Sequence, residues 1–252
     1  MQVVLVQEAS SLDPADNRAR LASLSPEGAD LIVLPEAFAR DFGEAGSDLA
    51  LHAEALDGPF VTEVERVAAA RGTTMVAGMF EQTDRAGGPP YNTVVVRGRA
   101  RLDYRKIHLY DSFGYQESRV LAAGPIEPAV FDLGGTDVGL MTCYDLRFPE
   151  LSRRLVDAGA EVILVPAAWV AGPRKVDHWT TLLRARAIEN TAYVVGVGQP
   201  APRYTGHSMV VGPLGDILAE EGDDAAIVTV DLDLAAVAEA RRTNPSLANR
   251  RL

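Results

Sequence analysis

The sequence predicts an α/β fold in which two mixed β-sheets pack together and helices cover their outer faces. Three observations lead there. Apolar strand-like runs recur along all 252 residues, about a dozen of them, more than one open twisted sheet holds without splitting or curling. Some runs alternate with helical patterns, as in βα units, while others are joined as hairpins, so the sheets must be mixed. Many runs are apolar throughout, so both of their faces must be covered.

QVVLVQ (2–7) is the first run and DLIVLPE (30–36) the second. Between them, DPADNRARLASL reads as a helix opened by an Asp or Pro start signal. A second helix, 59–72, stops on Gly72 and is followed by strand 73–80. After the GGPP turn, YNTVVVRG (91–98) and RLDYRK form a hairpin through Arg97-Gly98. Residues 107–127 show no period; a loop this long inside a compact domain is more often functional than idle. Strands 128–134 and 138–143 lead into helix 148–159, then strand 161–169, helix 176–191 and strand 192–198. HSMVVG, GDILAE and AIVTVDL are three further short strands, and the tail starts helical. No linker, repeat array or low-complexity tract divides the chain, so residues 1–252 are expected to form a single domain.

Composition narrows the function. The formal net charge of −11 argues against nucleic acid and anionic membrane as partners. No apolar run approaches the length of a membrane span, and the N-terminus lacks the basic region of a secretory signal, so a cytoplasmic setting is expected. One cysteine excludes an internal disulfide and a Cys-rich zinc site, and the four His show no metal-ligand spacing. No metal and no cofactor are expected. Of 24 basic residues only two are Lys, Lys106 and Lys175. A site that retains Lys in such a chain is a candidate for a compact ammonium that Arg cannot supply. For Lys175, in AGPRKVDHW, a surface position is the favoured reading.

Three polar residues stand at strand ends, where ligands of α/β sheets bind: Glu36 after LIVLP, Lys106 after RLDYR and Cys143 after VGLMT. Taken singly, Glu36 could be a solvated strand-end residue and Cys143 a small buried hydrophobe. Together they form a hydrolase set. A carboxylate can take the thiol proton, and a lysine can favour thiolate and hold an oxyanion.

LPEAF around Glu36, YRKIHLYD around Lys106 and CYDLRFPEL around Cys143 closely resemble the three signature segments of the nitrilase superfamily of carbon–nitrogen hydrolases. The resemblance runs on through EVILVPAAW, HWTTLLRARAIENTAYVV and GHSMVVGPLGDILAE, in family order over nearly the whole chain, and is closest to the Nit branch of ω-amidases and deaminated-glutathione amidases. It implies a four-layer α-β-β-α sandwich and a homodimer or larger assembly packed through helices 148–158 and 176–191. Arg184, Arg186, Glu189 and Asn190 would support fold and interface. It further implies hydrolysis of a small amide through a thioester on Cys143. Glu117, in GYQES, would orient Lys106 or the substrate nitrogen, and the Tyr144 backbone N–H would join Lys106 at the oxyanion. Trp169, Tyr115, Phe113 and Arg174 are pocket candidates by neighbourhood, and Arg174 could bind a substrate carboxylate. His108 is expected to hold its loop through Asp111. Trp169 stands where Nit-type amidases tend to have Phe, and the identity of the amide stays open. Nitrile hydrolysis, ureido-amide hydrolysis and acyl transfer share the triad; an isochorismatase-like hydrolase and a silent scaffold are the more distant alternatives.

Overall fold

In the computed structural model, which describes residues 1–83 and 87–251, the fourteen strands fall mainly into two six-stranded sheets. The first is built from β1 (Gln2–Gln7), β2 (Leu31–Val33), β3 (Thr74–Glu81), β4 (Tyr91–Arg97), β5 (Leu102–Arg105) and the late strand β14 (Ala226–Asp231), in the order β14-β1-β2-β3-β4-β5. Strands β1, β2 and β3 are parallel; β4, β5 and β14 join antiparallel. A short ribbon, β6 (Asp111–Ser112) with β7 (Tyr115–Gln116), stands apart within the aperiodic 107–127 segment.

The second sheet repeats the plan. It comprises β8 (Ala129–Leu133), β9 (Thr136–Leu140), β10 (Val162–Ala167), β11 (Tyr193–Gly198), β12 (Met209–Val211) and β13 (Ile217–Glu220), in the order β13-β12-β11-β10-β9-β8. Here β9, β10 and β11 are the parallel trio, flanked by antiparallel strands.

The apolar runs explain the layering. In β1, Val3 and Leu5 face the second sheet and share a core with Val138, Leu140 and Leu164. Val4 and Val6 point the other way, into a core with Phe60, Val64 and Val67 of helix α2 (Pro59–Arg71). Alternation within an all-apolar strand thus feeds two cores, as period two requires. α2 begins with Pro59 at its first turn and ends on Gly72 in the left-handed region, both favoured helix punctuation. α1 (Pro14–Arg20), capped by Asp13, lies beside it. Helices α3 (Pro149–Asp157) and α4 (Lys175–Asn190) cover the second sheet, giving the α-β-β-α order; α5 (Ala235–Thr243) follows β14. Arg186 of α4 donates to the Leu146 carbonyl and Asn190 to Ser152, tying α4 to the Cys143 segment and to α3.

Two strands are shorter than the sequence suggests. β2 stops at Val33, and Pro35, which has no N–H to offer a ladder, carries the chain out of the sheet before Glu36. β9 stops at Leu140, and Cys143 opens a 3-10 turn, Cys143–Arg147, rather than ending a strand. Both catalytic candidates therefore sit on turns just past strand ends.

Candidate active site

Glu36, Lys106, Glu117 and Cys143 converge from four separate segments at the bottom of one cavity of about 580 Å³. All four are almost fully buried. Lys106 Nζ donates to Glu36 Oε1 at 2.9 Å and to both Glu117 oxygens, at 3.1 and 3.0 Å. Glu36 Oε2 accepts the Ala168 N–H at 2.7 Å, and Glu117 Oε2 accepts the Tyr110 N–H at 2.5 Å. The Cys143 thiol lies beside Glu36, whose charge acts on it.

The backbone is shaped for this convergence. Cys143 has φ 47° and Ala37, next to Glu36, has φ 55°, both in the left-handed region that costs a non-glycine residue energy. The Glu36 turn lies flat on β3 because residue 78 is glycine: a Cβ there would come within 2.4 Å of the Ala37 nitrogen and 2.8 Å of Glu36 Cα. Gly124 does the same for the lysine, since its Cβ would lie 2.2 Å from the Arg105 carbonyl oxygen. Asp145, wholly buried, joins the nucleophile turn to the lysine segment. It accepts the Thr142 N–H in a capping box, the Tyr104 hydroxyl at 2.6 Å and the His108 N–H at 3.0 Å.

Electrostatics follow from burial. It works against the Lys106 ammonium, but Glu117 and Glu36 outweigh it and hold the lysine pKa well above its ordinary value. Burial raises the pKa of Glu117, partly offset by Lys106 and reinforced by Glu36. The Cys143 thiol is pushed well above its usual range by burial and then by the Glu36 charge. Lys106 acts in the opposite direction, toward thiolate, but burial and Glu36 outweigh it.

Around the mouth, Tyr144, Trp169, Tyr115 and Phe113 line the cavity as the sequence suggested. Arg174 does not. It is the left-handed N-cap residue of α4, its side chain 77% exposed and paired with Asp177. The next residue, Lys175, read from sequence as surface, is only 8% exposed and enters the cavity wall. Its Nζ lies 4.2 Å from the Phe113 ring centre and donates to the Tyr110 hydroxyl at 3.1 Å. Burial and then Arg147 lower the Lys175 pKa. Arg147 also lines the cavity, its guanidinium 4.8 Å from the Trp169 ring centre. Among the described residues, neither cation has a carboxylate partner within ion-pair distance. His108 also departs from expectation. Its ring lies 2.7 Å from Asp145, while Asp111 binds Ser118 instead.

Sequence reasoning missed Arg147, Arg203 and Tyr110 as cavity residues, and Asn92, which donates to Glu36 Oε1 at 2.7 Å. The signal for Asn92 was present: an Asn in an otherwise apolar strand core is unusual. Among the described residues, no group of three His, Cys, Asp or Glu side chains could hold a metal ion, and no helix is long and apolar enough to cross a membrane.

The carbon-nitrogen hydrolase family profile matches residues 2–242. The deaminated glutathione amidase of Escherichia coli O157:H7 is 37% identical over 92% of this chain and 88% of its own length. Human omega-amidase NIT2 is 33% identical over 99% of this chain and 95% of its own. Among solved structures, Nit3 of Saccharomyces cerevisiae, a member of branch 10 of the nitrilase superfamily, superposes with a TM-score of 0.88 at 27% identity, covering 100% of this chain and 97% of that one. With its two mixed sheets, its helix layers and its sequence in agreement, the chain belongs to the carbon–nitrogen hydrolase family of the nitrilase superfamily.

Proposed function

We propose that this protein is a thiol amidase whose substrate carries an anionic group at the end remote from the scissile amide. One observation carries the reading: a saturated Glu36–Lys106–Glu117–Cys143 cluster faces two cations, Lys175 and Arg147, that lack carboxylates, across a single cavity. The relatives named deaminated glutathione amidase and omega-amidase support the amide.

The reaction follows from the geometry. Burial and the Glu36 charge favour the protonated thiol, and Glu36 takes its proton as the sulfur attacks the amide carbon. The carbonyl π electrons move to oxygen, and the oxyanion is held by Lys106 Nζ and the Tyr144 N–H. Glu36 then gives that proton to the amide nitrogen, the C–N bond breaks and the amine or ammonia leaves. A thioester remains on Cys143. Glu36 next takes a proton from water as its oxygen attacks the thioester. Collapse expels the sulfur, which recovers the proton, and the carboxylic acid leaves. Glu117 keeps Lys106 on the reacting centre by holding its Nζ with both oxygens. Arg147 and Lys175 hold the remote anion, and their aromatic neighbours exclude water from it.

The same reading includes a homodimer or larger assembly through α3 and α4, one domain spanning the chain, and a cytoplasmic setting. The exposed apolar side chains of Ile188 on α4 and of Leu214 and Ile217 near it support the interface. Ammonia or amine release from a panel of anionic and neutral amides and nitriles, wild type beside Cys143→Ala, tests the function. Turnover confined to anionic amides and lost in the variant is expected. A clear preference for neutral amides would overturn the substrate assignment.

A further inference from the structure

Lys106 is one ammonium between two buried carboxylates, so the cluster is one positive charge short. Asn92 stands where the shortfall would be felt. It lies in β4 opposite Phe80, fully buried, and its carbonyl accepts the Lys106 N–H at 2.8 Å. Its Nδ2 donates to Glu36 Oε1 at 2.7 Å and reaches Glu117 Oε1 at 3.4 Å. Its Oδ1 has no hydrogen-bond partner. A buried amide with one end used by two anions and the other left unpaired is a poor packing choice, since an apolar side chain of that shape would avoid the unsatisfied acceptor. The donor end must therefore be the reason for the residue.

We infer that Asn92 is a positioning residue for the reaction: its amide N–H groups bridge Glu36 and Glu117 and keep Glu36 aimed at the Cys143 thiol. The inference rests on the thiol-amidase reading. The charged and titratable groups facing these carboxylates are Lys106, Cys143, Tyr115 and, more remotely, Tyr204. Of these, only Lys106 is a cation, and beside the backbone N–H groups of Ala168 and Tyr110 the other side-chain donor to the pair is Asn92. Without that donor each carboxylate loses a hydrogen bond that favours its charged form. A base needed in ionised form is then lost at higher pH as the solution is acidified.

The test uses Asn92→Leu, close in shape, and Asn92→Asp, which adds a third carboxylate. Two profiles against pH are read: amide turnover, and alkylation of Cys143 by iodoacetamide followed by mass. For Asn92→Leu, kcat should fall about tenfold or more, the cost scale of a hydrogen bond to a charged group, with KM within roughly threefold. The acidic limb of both profiles should move to higher pH, and further still in Asn92→Asp. An unmoved limb in both profiles overturns the inference, and activity loss that only follows the melting temperature assigns Asn92 a plain structural role. If Asn92→Leu does not melt cooperatively, Asn92→Ser is read by the same limb. Should the wild type hydrolyse no amide offered, the amidase reading fails, while the alkylation profile still decides the role of Asn92.

Discussion

The two walls of the cavity are built on opposite principles. At the bottom, every charged group has hydrogen-bond partners: Lys106 has two carboxylates, and each of these also accepts a backbone N–H. Elsewhere in its lining, Lys175 and Arg147 lie against aromatic rings with no carboxylate partner among the described residues. The saturated wall is ordered before any ligand arrives, which suits groups that must meet a transition state without rearranging. The unsaturated wall retains its need for an anion, which suits groups that choose what enters. Chemistry and selection are thus separable in this molecule, and substitutions should separate them.

The sharpest break is Lys106→Arg. A planar guanidinium cannot take the place of a point ammonium between two carboxylates in a closed site, and the variant should fold yet lose on the order of a hundred- to a thousandfold in kcat. Steady-state rates beside a circular dichroism melt check this; more than about a tenth of wild-type turnover would contradict it. Gly78→Ala attacks the same wall indirectly. Its methyl would press on the Glu36 backbone, and a misplacement of that order should cost up to about a hundredfold in kcat with a lower melting temperature. Lys175→Met addresses the other wall. It should raise KM for an anionic amide roughly tenfold while leaving kcat on a neutral amide nearly unchanged, since a hydrogen bond to a charged group is worth about that much. A matched loss on both substrates would show that the walls are not separable. Arg174→Ala is the smallest: an exposed ion pair contributes at most about 1 kcal/mol, so kinetics within about twofold of wild type are expected on both substrates.

Much of the saturated wall was legible in the sequence, and much of the other was not. Glu36, Lys106 and Cys143 each follow an apolar or strand-like run, so their positions could be read from strand ends alone. Glu117 came only from the likeness of GYQES to a family loop. The neighbours Arg174 and Lys175 were read the wrong way round. Their order in the chain says nothing of which one turns inward; that is set by the left-handed backbone at Arg174, which sends its side chain to Asp177 and starts α4 with Lys175 on the cavity side. Asp145 was hidden for a related reason. Its partners are Tyr104 on β5 of the other sheet and His108 just beyond it, and no pattern within CYDLR shows what a buried aspartate will meet. The sheet order was legible only as a need for two layers, because pairings such as β1 with β14 depend on contacts far apart in sequence.

That last pairing bears on how the protein is made. Gln2 is registered with Asp231, and Gln7 is fastened to the carbonyls of Gly222 and Asp224. The sheet that carries Glu36 and Lys106 therefore waits for a strand synthesised only after every strand of the second sheet. A nascent chain paused at residue 225 already contains every residue of the site, yet one edge of β1 is unpaired and its backbone is open to association. Folding dominated by such distant contacts is slow, and exposed edges during that wait invite aggregation. The pairing of residues 2–7 with 226–231 is the step that closes the sheet beneath the catalytic cluster.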